Sequence, residues 1–469
     1  FSQWYQDVIF EAELVDSSPN RGSMVFRPYG YEIWENIQTE LNKRIKELGC
    51  QNAYFPLLIP ESFLKKEAEH VEGFAPEVAV VTHAGGKKLE EPMVIRPTSE
   101  TIVYHMFARW IKSWRDLPLK INQWANVVRW ELRTRAFLRT TEILWHEGHT
   151  AHATYEEAEE MALAELKMYK EFFEEFLAIP AIEGVKSATE RFAGADDTYC
   201  IEALMQDGKA LQLGTTHLLK ESFPASFDVS YQDADGKLQT PRCTSFGTTP
   251  RMIGAMIMTH GDERGLVMPP KIAPIQVVIV PIYRNDEDKE KVFSVVRESI
   301  IPKLKEANVR IHLDCDETKS PGAKFYHWEV RGVPIRLEIG PRDIDNNTAV
   351  LVNRIESDRT KKKEFVSIDG VELSVQKLLD TIQKRLFDQA GERLKTQWYK
   401  EEKLEKIGPA LDEKPGLYQT GWCGRAECEE KLKEHKACIA TCLINQKEKP
   451  TCFACEKEST GDVLVAKSY

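Results

Sequence analysis

Apolar positions along the chain switch between a helical and a strand-like period, and the switches mark out its elements. Residues 21–60 begin with the extended stretch R-G-S-M-V-F-R-P-Y-G. The spacing of Ile33, Trp34, Ile37, Leu41 and Ile45 then predicts an amphipathic helix, and N-A-Y-F-P-L-L-I-P predicts a strand after it. A further helix is expected from about Glu100 to Ser113, with strands over 119–131 and 142–153. A long helix is predicted over 155–177, its apolar side formed by Met161, Leu163, Leu166, Met168, Tyr169, Phe172, Phe173 and Phe176. Short strands are expected through 199–260, broken by the turn signals Q-D-G-K and D-A-D-G. Strands dominating around a few helices point to an α+β domain with an antiparallel sheet flanked by helices, over 1–272.

The pattern changes near Pro269-Pro270. I-Q-V-V-I-V-P-I-Y reads as a buried strand, followed by a helix over 286–306, the strand V-R-I-H-L-D, a helix around 321–331 and the strand P-I-R-L-E-I-G. This β-α-β-α-β alternation predicts a separate α/β domain over 273–380. The charged helical segment 370–405 reads as a linker, and 381–469 is taken as linker helix plus a small C-terminal α/β module.

Composition changes this picture little. The 469 residues allow two to four domains, and 42% hydrophobic with 29% charged residues is ordinary for a soluble enzyme. A net charge of -11 argues against a chain that is a polyanion binder over its whole surface, though a local basic face suffices for nucleic acid. Lys361–Lys363 with Arg359 is one candidate patch, and a solvated turn is the competing reading. No run approaches the roughly 18–20 apolar residues of a membrane span. The start, F-S-Q-W-Y-Q-D-V, has neither a basic n-region nor an apolar h-region, so a cytoplasmic chain is expected.

Cysteines sharpen the reading of the tail. Cys50, Cys200, Cys243 and Cys315 are scattered and read as reduced thiols. Six more crowd into the last 47 residues, among few large apolar side chains, which in a cytosolic chain argues for metal. Cys423-x4-Cys428 and Cys452-x2-Cys455 form two knuckles suited to tetrahedral zinc, with Cys438-x3-Cys442 as a rival pair.

The main candidate chemistry is cationic. Arg129 and Glu131 lie two apart in V-V-R-W-E-L, on one face of an expected strand. Arg139 follows across a basic loop, and Arg251 opens the apolar run of G-T-T-P-R-M-I-G. A cation in an apolar domain needs an anion. Each arginine alone could serve a structural ion pair, whereas the three together suggest a polyphosphate held by guanidinium forks.

These motifs, with M-V-I-R-P-T-S-E-T, L-W-H-E-G-H-T-A-H, F-A-G-A-D-D-T-Y, L-Q-L-G-T-T-H, M-T-H-G-D-E-R-G-L-V-M-P-P and the C-terminal cysteines, resemble the prolyl-tRNA synthetases in order along nearly the whole chain. The likeness is to the compact eukaryote-like and archaeal-like type of this class II family. It implies activation of L-proline by ATP and transfer of the prolyl group to the 3′ end of tRNA(Pro). Arg129 would hold the α-phosphate, Glu131 the adenine amino group, and Arg139 and Arg251 the outer phosphates. Gln212 and Thr215 would line the nucleotide site, and Mg2+ would bridge phosphate oxygens. Thr98 and Glu100 would receive the secondary ammonium. Trp145, Phe192 and His217 would enclose the pyrrolidine ring, beside Glu147 and His149. Lys324, Arg336 and Arg342 become candidate anticodon contacts, and Cys423, Cys428, Cys452 and Cys455 the ligands of a structural Zn2+. The helix-to-strand unit ending at Pro60 resembles motif 1, which implies a homodimer.

Two positions depart from the family pattern. Ile143 stands where an adenine-stacking phenylalanine is usual, and Phe246 where tryptophan is frequent, the latter expected to preserve an aromatic wall. The 94 positions from His149 to Cys243 leave no room for a long editing insertion. Competing readings are another amino-acid specificity on the same fold and a catalytically dead synthetase-like binding protein. A threonyl enzyme would carry its metal ligands in the catalytic domain, and a dead relative would have lost the phosphate arginines.

Overall fold

The computed structural model describes residues 1–70, 78–358 and 360–469. Arg359 of the basic run lies outside the described residues. Helix α1 (Pro28–Glu47) starts with proline, whose missing N–H is harmless in a first turn, and buries the predicted stripe from Ile33 to Ile45. The single strand expected after it is split. β1 (Gln51–Asn52) pairs with one sheet, while Leu58–Pro60 pairs with Lys87–Ile95 in another. Pro56 between them cannot donate to a ladder.

Next come α2 (Glu100–Trp110), β2 (Leu119–Val128), β3 (Glu142–His152), α3 (Tyr155–Glu175), β4 (Ile182–Val185), β5 (Ala195–Leu204), β6 (Ala210–Leu219), β7 (Arg242–Thr248) and α4 (Arg251–His260). Thr154 caps α3 by accepting from the Glu157 N–H. The expected run of short strands over 199–260 is therefore corrected. β5 and β6 form a long hairpin turning at Gly208, whose φ of 76° suits glycine, and the final apolar run is a helix. Every residue of α4 from Met252 to His260 is buried, so no periodicity separated helix from strand.

A second unit contains β8 (Val277–Pro281), β9 (Ile311–Leu313), α5 (Pro321–Val330), β10 (Ile335–Ile339), β11 (Thr348–Asn353) and β12 (Lys363–Ser367). Its sheet order is β9-β8-β10-β11-β12, parallel over the first three strands and antiparallel after them. Helix α6 (Val371–Thr396) is no free linker, because Val371, Val375, Leu379, Ile382 and Leu386 are buried in the core of this unit. Arg354, just beyond β11, is buried and forks onto Asp262 beyond α4 at 2.8 and 2.7 Å, joining the two units.

The last strands are β13 (Trp398–Lys400), β14 (Leu417–Trp422), β15 (Cys438–Leu443) and β16 (Gly461–Ala466). They extend the first unit's sheet rather than forming an isolated module, giving the 11-stranded order β13-β14-β16-β15-β4-β5-β6-β7-β3-β2-β1. The seam is Cys442 opposite Val185 and Leu443 opposite Gly184. A Cβ at Gly184 would collide with Thr441, so the close approach requires glycine. The tail is also more apolar than its composition suggested, with Ile407, Leu411, Trp422, Leu432, Phe453 and Val465 in one core. Among the described residues, no helix is long and apolar enough to cross a membrane.

Candidate active site

Strand alternation builds the site. On β3, His146 meets Tyr169 of α3 at 2.8 Å, so the even-numbered face packs on that helix. The odd-numbered residues Trp145, Glu147 and His149 lie on the opposite face. There a cavity of about 460 Å³ is lined by residues from α2, β3, β6, β7, α4 and the 129–141 loop. It brings together Thr98, Glu100, Arg129, Glu131, Arg139, Trp145, Glu147, Gln212, Thr215, His217 and Arg251 of the expected set, and also Ile143. His149 lies behind Glu147, with its Nε2 3.3 Å from a Glu147 oxygen. Phe192 packs its ring 5.3 Å from that of His217.

Arg129 and Glu131 are not on a strand. β2 stops at Val128, and the chain turns so that Trp130 and Leu132 are exposed. The Arg129 guanidinium opens onto the cavity yet is enclosed on its other sides. Its Nε donates to the Pro97 carbonyl at 3.0 Å, and its carbon lies 5.3 Å from the Trp145 ring centre. Arg251 donates to the carbonyls of Leu138 and Gln212. Arg139 is 3.7 Å from Glu131. Burial, then the charge of Arg139, lowers the Arg251 pKa, while Glu202 partly offsets them. Guanidiniums tethered by carbonyls keep their charge uncancelled, and this end of the cavity is built for an anion.

The other end is acidic. Thr98 donates to Glu100, and the Ser245 hydroxyl donates to the other Glu100 oxygen at 3.3 Å. Burial pushes Glu147 up, but hydrogen bonds from His149, Ser99 and Gln123 outweigh it and hold the carboxyl below its ordinary value. Burial likewise pushes His149 down, and the Glu147 contact more than reverses this. His217 is pushed down to about 4 by burial, reinforced by the charges of His149 and Arg129, so near neutral pH it is an uncharged ring. Its Nδ1 is 2.9 Å from the Thr198 hydroxyl. Carboxylates beside Trp145 and a neutral imidazole suit a small cation with an apolar body.

Phe246 is a correction. It is among the residues that line the cavity, but its ring packs 5.6 Å from His146 and 6.2 Å from Tyr169, on the α3 side of the sheet, so its aromatic face is turned into the core. Strand parity decides this, since Ser245 occupies the cavity face. Sequence reasoning also missed Ser99, Gln123, Thr198 and Ser245. The adjacent amides Asn122 and Gln123 inside the strand L-K-I-N-Q-W-A-N-V-V were the available signal.

Two further clusters lie apart. Cys423, Cys428, Cys452 and Cys455 converge with all four sulfurs within 4.8 Å of one another. The Cys455 thiol is held down at about 6, chiefly by the Lys457 backbone N–H, which favours the ligating thiolate. The rival Cys438 points instead toward Ser468. In the second unit Lys324 is buried 3.0 Å from Asp314. Arg336 forks onto one Glu338 oxygen, and its guanidinium lies over the Phe325 ring. Arg342, at the start of a short helix, is exposed. Lys361, Lys362 and Lys363 pair with Asp358, Glu329 and Glu338.

Comparison with known proteins meets this geometry. Residues 82–260 match the tRNA synthetase class II core domain (G, H, P, S and T), and 276–385 match the anticodon binding domain. The antiparallel sheet, the cavity on its face and the appended α/β unit are those of a class II aminoacyl-tRNA synthetase. Residues 404–469 match the C-terminal domain of prolyl-tRNA synthetase. The chain is 49% identical to "Proline--tRNA ligase 2" of Clostridioides difficile (strain 630), covering 100% of this chain and 96% of that protein. It is 50% identical to the proline--tRNA ligase of Alkaliphilus oremlandii (strain OhILAs), with the same coverage. The crystal structure of prolyl-tRNA synthetase from Cryptosporidium parvum complexed with halofuginone and AMPPNP superposes with a TM-score of 0.93 at 40% identity, covering 100% of this chain and 98% of that one. The chain belongs to the prolyl-tRNA synthetase family.

Proposed function

We propose that the chain activates L-proline with ATP to prolyl-adenylate and transfers the prolyl group to the 3′ end of tRNA(Pro). The observation that carries this reading is one cavity with an arginine-lined end and a carboxylate-and-aromatic end. Arg129 stands between them and would bind the α-phosphate where the carboxylate attacks. Glu131 and Ile143 would meet adenine, without ring stacking at Ile143. Arg139 and Arg251 would hold the outer phosphates, beside Gln212 and Thr215, with Mg2+ neutralising phosphate oxygens. Thr98, Glu100 and Glu147 would receive the ammonium, while Trp145, Phe192 and His217 enclose the ring and His149 holds Glu147. An in-line displacement of pyrophosphate at the α-phosphate, followed by acyl transfer to the ribose hydroxyl with release of AMP, needs no enzyme nucleophile, only positioning and charge neutralisation.

Residues between His149 and Cys243 are taken up by the end of β3, α3, β4, β5, β6, a short helix, a small hairpin over 231–239 and the start of β7, which supports synthesis without an editing insertion in this chain. A smaller amino acid such as alanine would then be rejected by only about 1–3 kcal/mol. Arg342 is the exposed member of the proposed anticodon contacts, while Lys324 and Arg336 would have to exchange their carboxylate partners. The four convergent thiols fit a structural Zn2+, which would crosslink the tail and leave no open coordination position.

Proline should be the amino acid that drives strong ATP–pyrophosphate exchange when all twenty are compared. Faster exchange with threonine or histidine would remove the reading. A homodimer is also proposed, because Val25, Tyr31, Tyr54 and Leu58 expose apolar surface within the segment that resembles motif 1. Light scattering at micromolar concentration should give twice the chain mass, and a mass near 53.7 kDa would count against it.

A further inference from the structure

We infer that Gln123, which is not among the residues lining the cavity, is the positioning residue that aligns both walls of the ammonium-binding end. The inference rests on the proposed function and assigns a specificity role within that site.

Gln123 is buried on β2, directly opposite Glu147 of β3. Its Oε1 accepts the Phe55 N–H at 2.9 Å. A backbone N–H can only donate, so this contact settles the amide's orientation and turns the NH2 group the other way. That group donates to Glu147 Oε1 at 2.7 Å and to the Ser99 hydroxyl at 2.7 Å. Ser99 lies between Thr98 and Glu100, and its own N–H reaches the other Glu147 oxygen at 3.2 Å. One side chain therefore ties the strand carrying Trp145, Glu147 and His149 to the turn carrying Thr98 and Glu100.

The amide has three polar contacts and no freedom left. Beside His149 and Ser99 it helps hold the Glu147 carboxyl below its ordinary value, because it donates to the carboxylate without adding charge to a buried site. It also sets the distance between Glu147 and the Thr98–Glu100 pair, the quantity that decides whether one ammonium can be shared among them. The phosphate end has no contact with it, since Arg129 and Arg251 are held by the carbonyls of Pro97, Leu138 and Gln212. Loss of Gln123 should therefore act on the amino acid and spare the nucleotide.

Full-length Gln123→Leu and Gln123→Glu variants test this by pyrophosphate exchange, varying proline and ATP separately. Gln123→Leu should raise the proline KM by about tenfold or more, as lost orienting partners do, and leave the ATP KM within about twofold. Gln123→Glu supplies the signature. In its protonated form the acid accepts from Phe55 and donates to Glu147, reproducing two of the amide's three bonds. Two carboxyls at this separation cannot both ionise freely, so the shared proton is lost only at raised pH. The proline KM of this variant should lie near the parent value at low pH and climb as pH rises, more steeply than in the parent. His149, Glu100 and Arg129 also face Glu147, but they are common to both proteins, so the difference between profiles isolates position 123. Proline and ATP KM rising together, with a lowered Tm and no recovery at low pH, would show a merely structural residue and overturn the inference. An unmoved proline KM in folded Gln123→Leu overturns it too, while the parent still exchanges with proline. A parent without proline-dependent exchange removes the functional reading, and the inference with it.

Discussion

Arg129→Ala should slow proline-dependent pyrophosphate exchange by about 10²–10³-fold while changing proline binding far less. The guanidinium is anchored from behind by the Pro97 carbonyl and steadied over Trp145, so its outward donors are held ready before any ligand arrives. Preorganised donors stabilise charge that develops in transfer, and one such donor is worth about 3–4 kcal/mol. Burial lowers the Arg129 pKa, but Glu100 and Glu147 counter it and the side chain stays cationic. Arg251 cannot take over, because its contacts to Leu138 and Gln212 hold it at the far end of the cavity. Steady-state exchange with titration of proline binding separates the two effects. A turnover number equal to that of the parent would sink the assigned role.

Loss of one of the four convergent thiols proposed to hold zinc should have the largest effect on stability, confined to the tail. Cys423→Ser is expected to release a single tightly held zinc per chain, whereas Cys438→Ser should retain it. Zinc binding to such thiolate sites is worth on the order of 10 kcal/mol near neutral pH, and it ties together segments distant in sequence. The tail has its own apolar core and continues the main sheet through β15 and β4. Metal loss should accordingly loosen the Cys423–Cys428 and Cys452–Cys455 ends and lower the thermal transition of the tail, with proline activation surviving in part. Metal analysis of the two purified variants decides the ligand set. Zinc missing only from the Cys438 variant would show that the other pair binds it.

Legibility in the sequence followed the kind of signal each element carries. α1 and α3 show a 3.6-residue apolar stripe because one face of each meets solvent, and both formed where the stripe predicted, although Leu163 of the α3 stripe is exposed. α4 carries no such stripe, being buried on all sides, and its apolar run is indistinguishable in sequence from a buried strand. Pro56 breaks the strand expected over 52–60 by a rule that reads directly from sequence, yet the apolar run around it masked the break. The segment at α6 looked like a charged linker because its polar face dominates composition, although its apolar face completes the second core.

The sequence by itself determined the chemistry on offer: three arginines, the acidic and aromatic text around Trp145, Glu147 and His149, and two cysteine knuckles in fixed order. These follow from residue identity and short spacing, which need no fold to be read. Only the tertiary structure decided which of them face the same space. Strand parity turned the Ser245 hydroxyl toward the cavity and the Phe246 ring into the core, one residue apart. Long-range pairing brought Gln123 opposite Glu147, and joined a tail more than 200 residues away to β4. Such contacts depend on which strands become neighbours, a choice made by burial over the whole chain that no local pattern records.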